Sequence, residues 1–223
     1  MDHTLALRSA LQSGAAETQL ALIAEQAGDQ QLAQVIAEFH PAEIAVMVRD
    51  ADMTKPSLAH AFITPDQFIG AFGRIGSRWG EIPSNVDYVT FQRDVEDFLC
   101  PMILAAEDPE RRATMVRELA GHELCVETLL FLTLGHSESP SLLAHPHGYP
   151  FVRGTWQELL GLFYEYQGET FREVAAMALE VQEEGDDGAH RFAHSLLRAL
   201  YDEARTHQAT ETTATQEEEF VDI

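Results

Sequence analysis

Apolar residues recur at spacings of three and four along most of this chain. Leu20, Ile23 and Ala24 form one such group, Leu32, Val35 and Ile36 the next, and Ile44, Met47 and Val48 a third. That spacing follows the 3.6-residue period of a helix with one buried face. No alternating run of β-branched residues bounded by turn signals is long enough to make a strand. The pattern predicts helices over 4–13, 17–27, 29–38, 41–51, 56–62, 65–79, 87–105, 109–120, 122–135, 155–166, 168–183 and 187–206. Most are short. The expected fold is all-α, with short helices stacked as helical hairpins or a superhelix.

Where the helices begin is legible as well. In "EFHPAEIAVMVRDAD" (38–52) a His-Pro pair interrupts the apolar period. Proline costs nothing at the first helical position, where its missing N–H has no partner to lose, so Pro41 starts a helix. His40 then falls at the N-cap and Glu43 at N3, a capping box with an unusual cap. "TPDQF" (64–68) and "DPERR" (108–112) echo the arrangement, with Thr64 and Gln67 as a more regular box.

The periodicity stops twice. Between His136 and Gly154, "HSESPSLLAHPHGYPFVRG" is rich in proline, serine and glycine, the composition of a long loop or linker. After about 207 the chain becomes polar and acidic until Phe220, which predicts a disordered tail. These breaks divide the chain into a superhelix-like domain (1–136), a linker (137–154), a C-terminal helical hairpin (155–207) and a disordered acidic tail (208–223).

Charge narrows the function classes. Acidic residues number 37 against 14 basic ones, for a net charge of −23, and Lys55 is the sole lysine. Direct binding to a phosphate backbone works through clustered Lys and Arg, so a nucleic-acid ligand is not expected. A basic protein partner, mimicry of nucleic acid and adaptation to high salt all fit the acidity. The longest apolar run, "LLFLTL" (129–134), is far shorter than the ~20 residues of a membrane span. Cys100 and Cys125 form no CxxC, and the Met1-Asp2-His3 start is unlike a signal peptide, so a reduced, cytoplasmic protein is expected.

Candidate chemistry is sparse. His190 and His194 stand one helical turn apart, a spacing with which two imidazoles can share a metal, but zinc takes at least three protein ligands. His145 and His147 in the loop are the nearest further candidates, and His136 could join them only by folding. "HELCV" (122–126) fails as HExxH because Val126 stands where the second histidine belongs. His122 and Cys125 could meet on one helix face as a nucleophile pair, although the surrounding apolar residues favour a buried, inert thiol. No phosphate-binding loop, nucleophile elbow or dinucleotide fingerprint is present. No catalytic residue and no cofactor are therefore expected. Trp156, Leu159, Leu160 and Phe163 form a core stripe, whereas Tyr164 and Tyr166 cannot share its direction and suit a partner surface. The end, "EEEFVDI", sets three carboxylates before Phe220, Val221 and Ile223, a pattern able to dock in a basic-rimmed apolar pocket.

"LAQVIAEFHPAEIAVMVRDAD" resembles the repeat in the cytoplasmic N-terminal domain of MgtE magnesium transporters. There a helix ends, His-Pro-Ala-Asp/Glu-Ile-Ala opens the next, and short helices stack into a superhelix similar to parts of FliG. The resemblance rests on Leu32, Ile36, Phe39, His40, Pro41, Ala42, Glu43, Ile44 and Ala45 and extends over about 15–80. It implies a helical regulatory or interaction domain without transport. The expectation is a soluble, non-enzymatic helical protein that binds another protein, with a basic partner among the candidates, as adaptor, regulator or assembly and maturation chaperone. The alternatives are a metal sensor or metal-dependent enzyme built on the C-terminal histidines, and an acidic nucleic-acid mimic.

Overall fold

The computed structural model describes residues 3–50, 57–76, 88–105, 108–134, 156–183 and 185–221. Among these the chain is all-α. The helices are α1 (His3–Gln12), α2 (Ala16–Ala27), α3 (Asp29–Ala37), α4 (Pro41–Asp50), α5 (Pro65–Phe72), α6 (Tyr88–Leu104), α7 (Pro109–Ala120), α8 (Cys125–Leu134), α9 (Trp156–Tyr166), α10 (Gly168–Glu183) and α11 (Asp186–Val221). A 3-10 turn, Leu58–Ala61, precedes α5 where an α-helix over 56–62 was expected.

The helix starts follow the caps. The His40 N–H donates to Glu43 Oε2 at 2.9 Å, while the Ala42 N–H donates to His40 Nδ1 at 3.3 Å. His40 is thus the cap of α4. Glu43 also receives Arg8 of α1 at 2.8 Å. Partial burial works against the charged carboxylate, but the Arg8 contact and the His40 N–H hold its pKa below the usual range. Thr64 and Gln67 form a reciprocal capping box on α5, and Asp108 accepts from the Glu110 N–H at the start of α7. Pro41, Pro65 and Pro109 each open their helix. Gly28, at a φ of +80°, lets the chain turn between α2 and α3 with no residue to spare.

Buried polar groups knit the stack together. A helix leaves its last carbonyls without intrahelical donors. Gln67 Nε2 supplies one, reaching Ile36 O and Phe39 O at the end of α3, each at 2.7 Å. Its Oε1 accepts from the Thr64 N–H, so the whole amide is used. Arg111 of α7 likewise donates to the carbonyls of His60, Ile63 and Met102.

One expected boundary needs correction. The helix predicted over 65–79 stops at Phe72, because Gly73 caps it and Gly76 packs directly on the backbone of Leu200, where any side chain would collide. The apolar core of the described residues runs from Leu7 to Leu200, with α9 against α6 and α7 and α10 against α8. Helix α8 explains this: Leu129, Leu130, Phe131 and Leu132 are all buried, and a helix apolar on every side must be covered on every side. Helix α11 continues to Val221. No glycine or proline follows Gly188, and the Ala, Gln and Glu of this stretch are good helix formers.

Candidate functional site

A pocket of about 160 Å³, partly open to solvent, lies between the start of α6, the end of α8 and the start of α11. Its walls include Tyr88, Val89, Gln92, Phe131, Leu134 and His190. The space exists because α11 presents Ala189 and Ala193 here, whereas its next buried positions, Leu196, Leu197 and Leu200, fill the core. The Tyr88 and His190 rings lie 5.0 Å apart, and Phe131 stacks at 4.6 Å on Phe91 behind the wall. Among the described residues, His190 is the only titratable basic or acidic side chain in the lining.

Gln92 is a buried polar residue of this pocket, only 8% exposed. Its Nε2 donates to Leu132 O at 2.7 Å and, more weakly, to Phe131 O at 3.4 Å, in the last turn of α8. Those two carbonyls fix which end of the amide is nitrogen. No described residue donates to Oε1, which is left as the acceptor this side chain offers to the cavity.

The residues flagged by sequence are scattered. Tyr164 is exposed and packs edge-on against Phe171 at 5.3 Å, while Tyr166 is half-buried on the same helix. Partial burial, together with Glu165 beside it, raises the Tyr166 phenol pKa. His190 and His194 are both exposed on α11, and His190 stands at the cavity. Among the described residues no group of three His, Cys, Asp or Glu side chains could hold a metal ion. His136, His145, His147 and Ile223 lie outside the described residues, and Phe220 and Val221 are placed only as the last turn of α11.

His122 and Cys125 do not pair as a nucleophile and base. His122 Nδ1 accepts the Leu124 N–H at 3.2 Å and Nε2 faces Glu203 Oε1 at 3.0 Å, so both ring nitrogens are taken. The first contact caps α8 and the second ties α11 to it. Cys125 is 1% exposed, and burial pushes its thiol up to about 12, aided by Glu127 and Glu173. Burial likewise raises the Cys100 thiol far above its ordinary value. Neither sulfur is a thiolate at neutral pH.

Gln92 and its neighbours were not singled out from sequence, but a signal was there. Tyr88, Gln92, Val95 and Leu99 fall on one face of α6, so an amide occupies a position in an apolar stripe. Such a residue must find buried partners. Compared with known protein families, with curated proteins and with solved structures, the chain has no match.

Proposed function

We propose that this chain is a non-enzymatic helical protein that binds a second, basic protein as an adaptor or regulator, using its terminal helix. One observation carries this reading: α11 runs to Val221, whereas among its residues whose burial is described, which reach Thr210, the last buried one is Ala204. Helical segments without tertiary packing are marginal in water, and a polar helix that outlasts its core is suited to bridging between bodies. The segment is acidic in sequence and ends in "EEEFVDI", which adds charge steering toward a basic surface. The likeness of 15–80 to a regulatory helical domain supports the same class of role.

The test is co-purification from native lysate with the full chain and with a deletion of 208–223. Capture that requires the segment and weakens as salt is raised agrees with the proposal, because exposed charges more than about 10 Å apart are screened at 0.1 M. Equal capture by both chains would refute the role of the helix. No capture, together with a stoichiometric transition metal on the untagged protein, would replace this reading with a metal sensor using His190 and His194.

A further inference from the structure

Arg111 of α7 joins two parts of the stack. Its guanidinium donates to the His60 and Ile63 carbonyls, in the segment before α5, at 2.8 and 3.1 Å, and to the Met102 carbonyl of α6 at 3.2 Å. The His60 side chain at this junction is 2% exposed, and neither of its ring nitrogens has a hydrogen-bond partner. An imidazole held in this way must be neutral, because a proton would place a charge in a site that offers it no acceptor. Helices α2 and α6 pack on the turn and carry Glu17 and Glu25 on the one, Arg93, Asp94, Glu96 and Asp97 on the other. Among the described residues, none of these carboxylates steadies the ring. The charge that acts on it is the Arg111 guanidinium, of the same sign as an imidazolium. Arg111 is itself desolvated, with the Asp108 carboxylate as partial compensation.

We infer that the turn Leu58–Ala61 is an acid-released latch: a proton on His60 frees the turn from α6 and α7 while α8 and α10 stay packed on each other. The guanidinium keeps its charge throughout the range in which histidine titrates, and it cannot withdraw without orphaning three carbonyls. The turn is the weaker side. It is a single 3-10 turn, a form with poorer hydrogen-bond geometry than an α-helix, and the Ser57 side chain holds its start by accepting the Ala59 N–H at 3.1 Å. In the closed turn burial and Arg111 bring the imidazole pKa to about 4, whereas a solvated ring titrates near its ordinary value. Opening is therefore favoured as pH falls below about 6.5, and the open turn should be roughly fiftyfold more populated at pH 4.5 than at pH 7. This latch stands apart from the terminal-helix role proposed above.

Hydrogen exchange of the full-length protein at pH 7 and 4.5, corrected for the intrinsic pH dependence of the reaction, reads the opening directly. The His60, Phe62 and Ile63 amides are bonded within the closed turn, to Ser57 O and Ala59 O. They should lose roughly fiftyfold of their protection, while the amides of α8 and α10 keep theirs. His60→Phe should abolish the difference. Should that variant not fold, the natural chain decides by itself: the logarithm of turn protection should fall by about one per pH unit below pH 6, the slope of a single proton. Equal loss across all helices would mean global acid unfolding and would overturn the inference. So would a turn whose protection does not change, a loss that persists in His60→Phe, or a steeper slope, which would assign the opening to several carboxylates together.

Discussion

Two buried glutamines do the same job at two junctions, and only one is finished. Gln67 and Gln92 each direct Nε2 at two carbonyls near the end of a neighbouring helix, α3 in one case and α8 in the other. At the first junction Thr64 completes the amide by donating its N–H to Oε1, and Gln67 itself is only 5% exposed. At the second, alanines on α11 leave a cavity where a donor would stand. The sealed junction is a fastening between helices, whereas the open one has the same fastening with a free valence. The difference lies in what borders the amide, Thr64 in one case and the alanines of α11 in the other, and not in the glutamine.

The largest effect should come with acid. His60, in the 3-10 turn before α5, is 2% exposed with no hydrogen-bond partner on either nitrogen. Burial, reinforced by the Arg111 charge, lowers its pKa to about 4. The unfolded chain takes up this proton near pH 6.5, so stability is complete above that pH and declines as pH falls toward 4. The loss reaches about 3 kcal/mol at 1.36 kcal/mol per unit. Urea melts between pH 7 and 4 should show this decline, and His60→Phe should remove most of it. A natural chain and variant with parallel pH profiles would contradict the assignment.

Gln67→Leu should cost about 2–3 kcal/mol, since it strips a capping box and orphans carbonyls in a site that water cannot enter. Gln92→Leu should cost only about 1 kcal/mol, because the cavity side has room to relax and gains apolar contact. Chemical denaturation of the pair measures the contrast directly, and equal losses would erase the distinction between sealed and open. The smallest effect belongs to removal of 208–223. The thermal midpoint should stay within a degree or two, while the helical circular dichroism signal per molecule falls. A large drop in midpoint would mean that the segment packs on the body.

Most of the fold was readable because its information is local. The His40, Thr64 and Asp108 caps lie within three residues of their partners, and the apolar stripes repeat at a single period. The errors arose where remote contacts decide. Gly73 and Gly76 look like interruptions within a helix until α11 is seen passing over them. A missing apolar stripe, as after 207, shows only that a segment lacks a core to bury in, and says nothing of whether its backbone is helical. The candidate site was the least legible part. Gln92 gains meaning from Leu132, forty residues on, and from Ala189 and Ala193, a further quarter of the chain away. Its place in an apolar stripe was the one local sign.

The helical extension also sets distance. From Arg205 to Val221 an unbroken helix at 1.5 Å per residue is about 25 Å long. A flexible linker of the same length would let a captured partner explore a volume around its attachment and would fix no orientation. A helical arm acts as a strut and confines the partner to a narrow shell, raising its effective concentration at sites that lie at the right radius and excluding those nearer in. Inserting a few residues into this arm would change its reach and, at 100° per residue, turn its binding face, so the activity of an adaptor built this way should vary periodically with arm length.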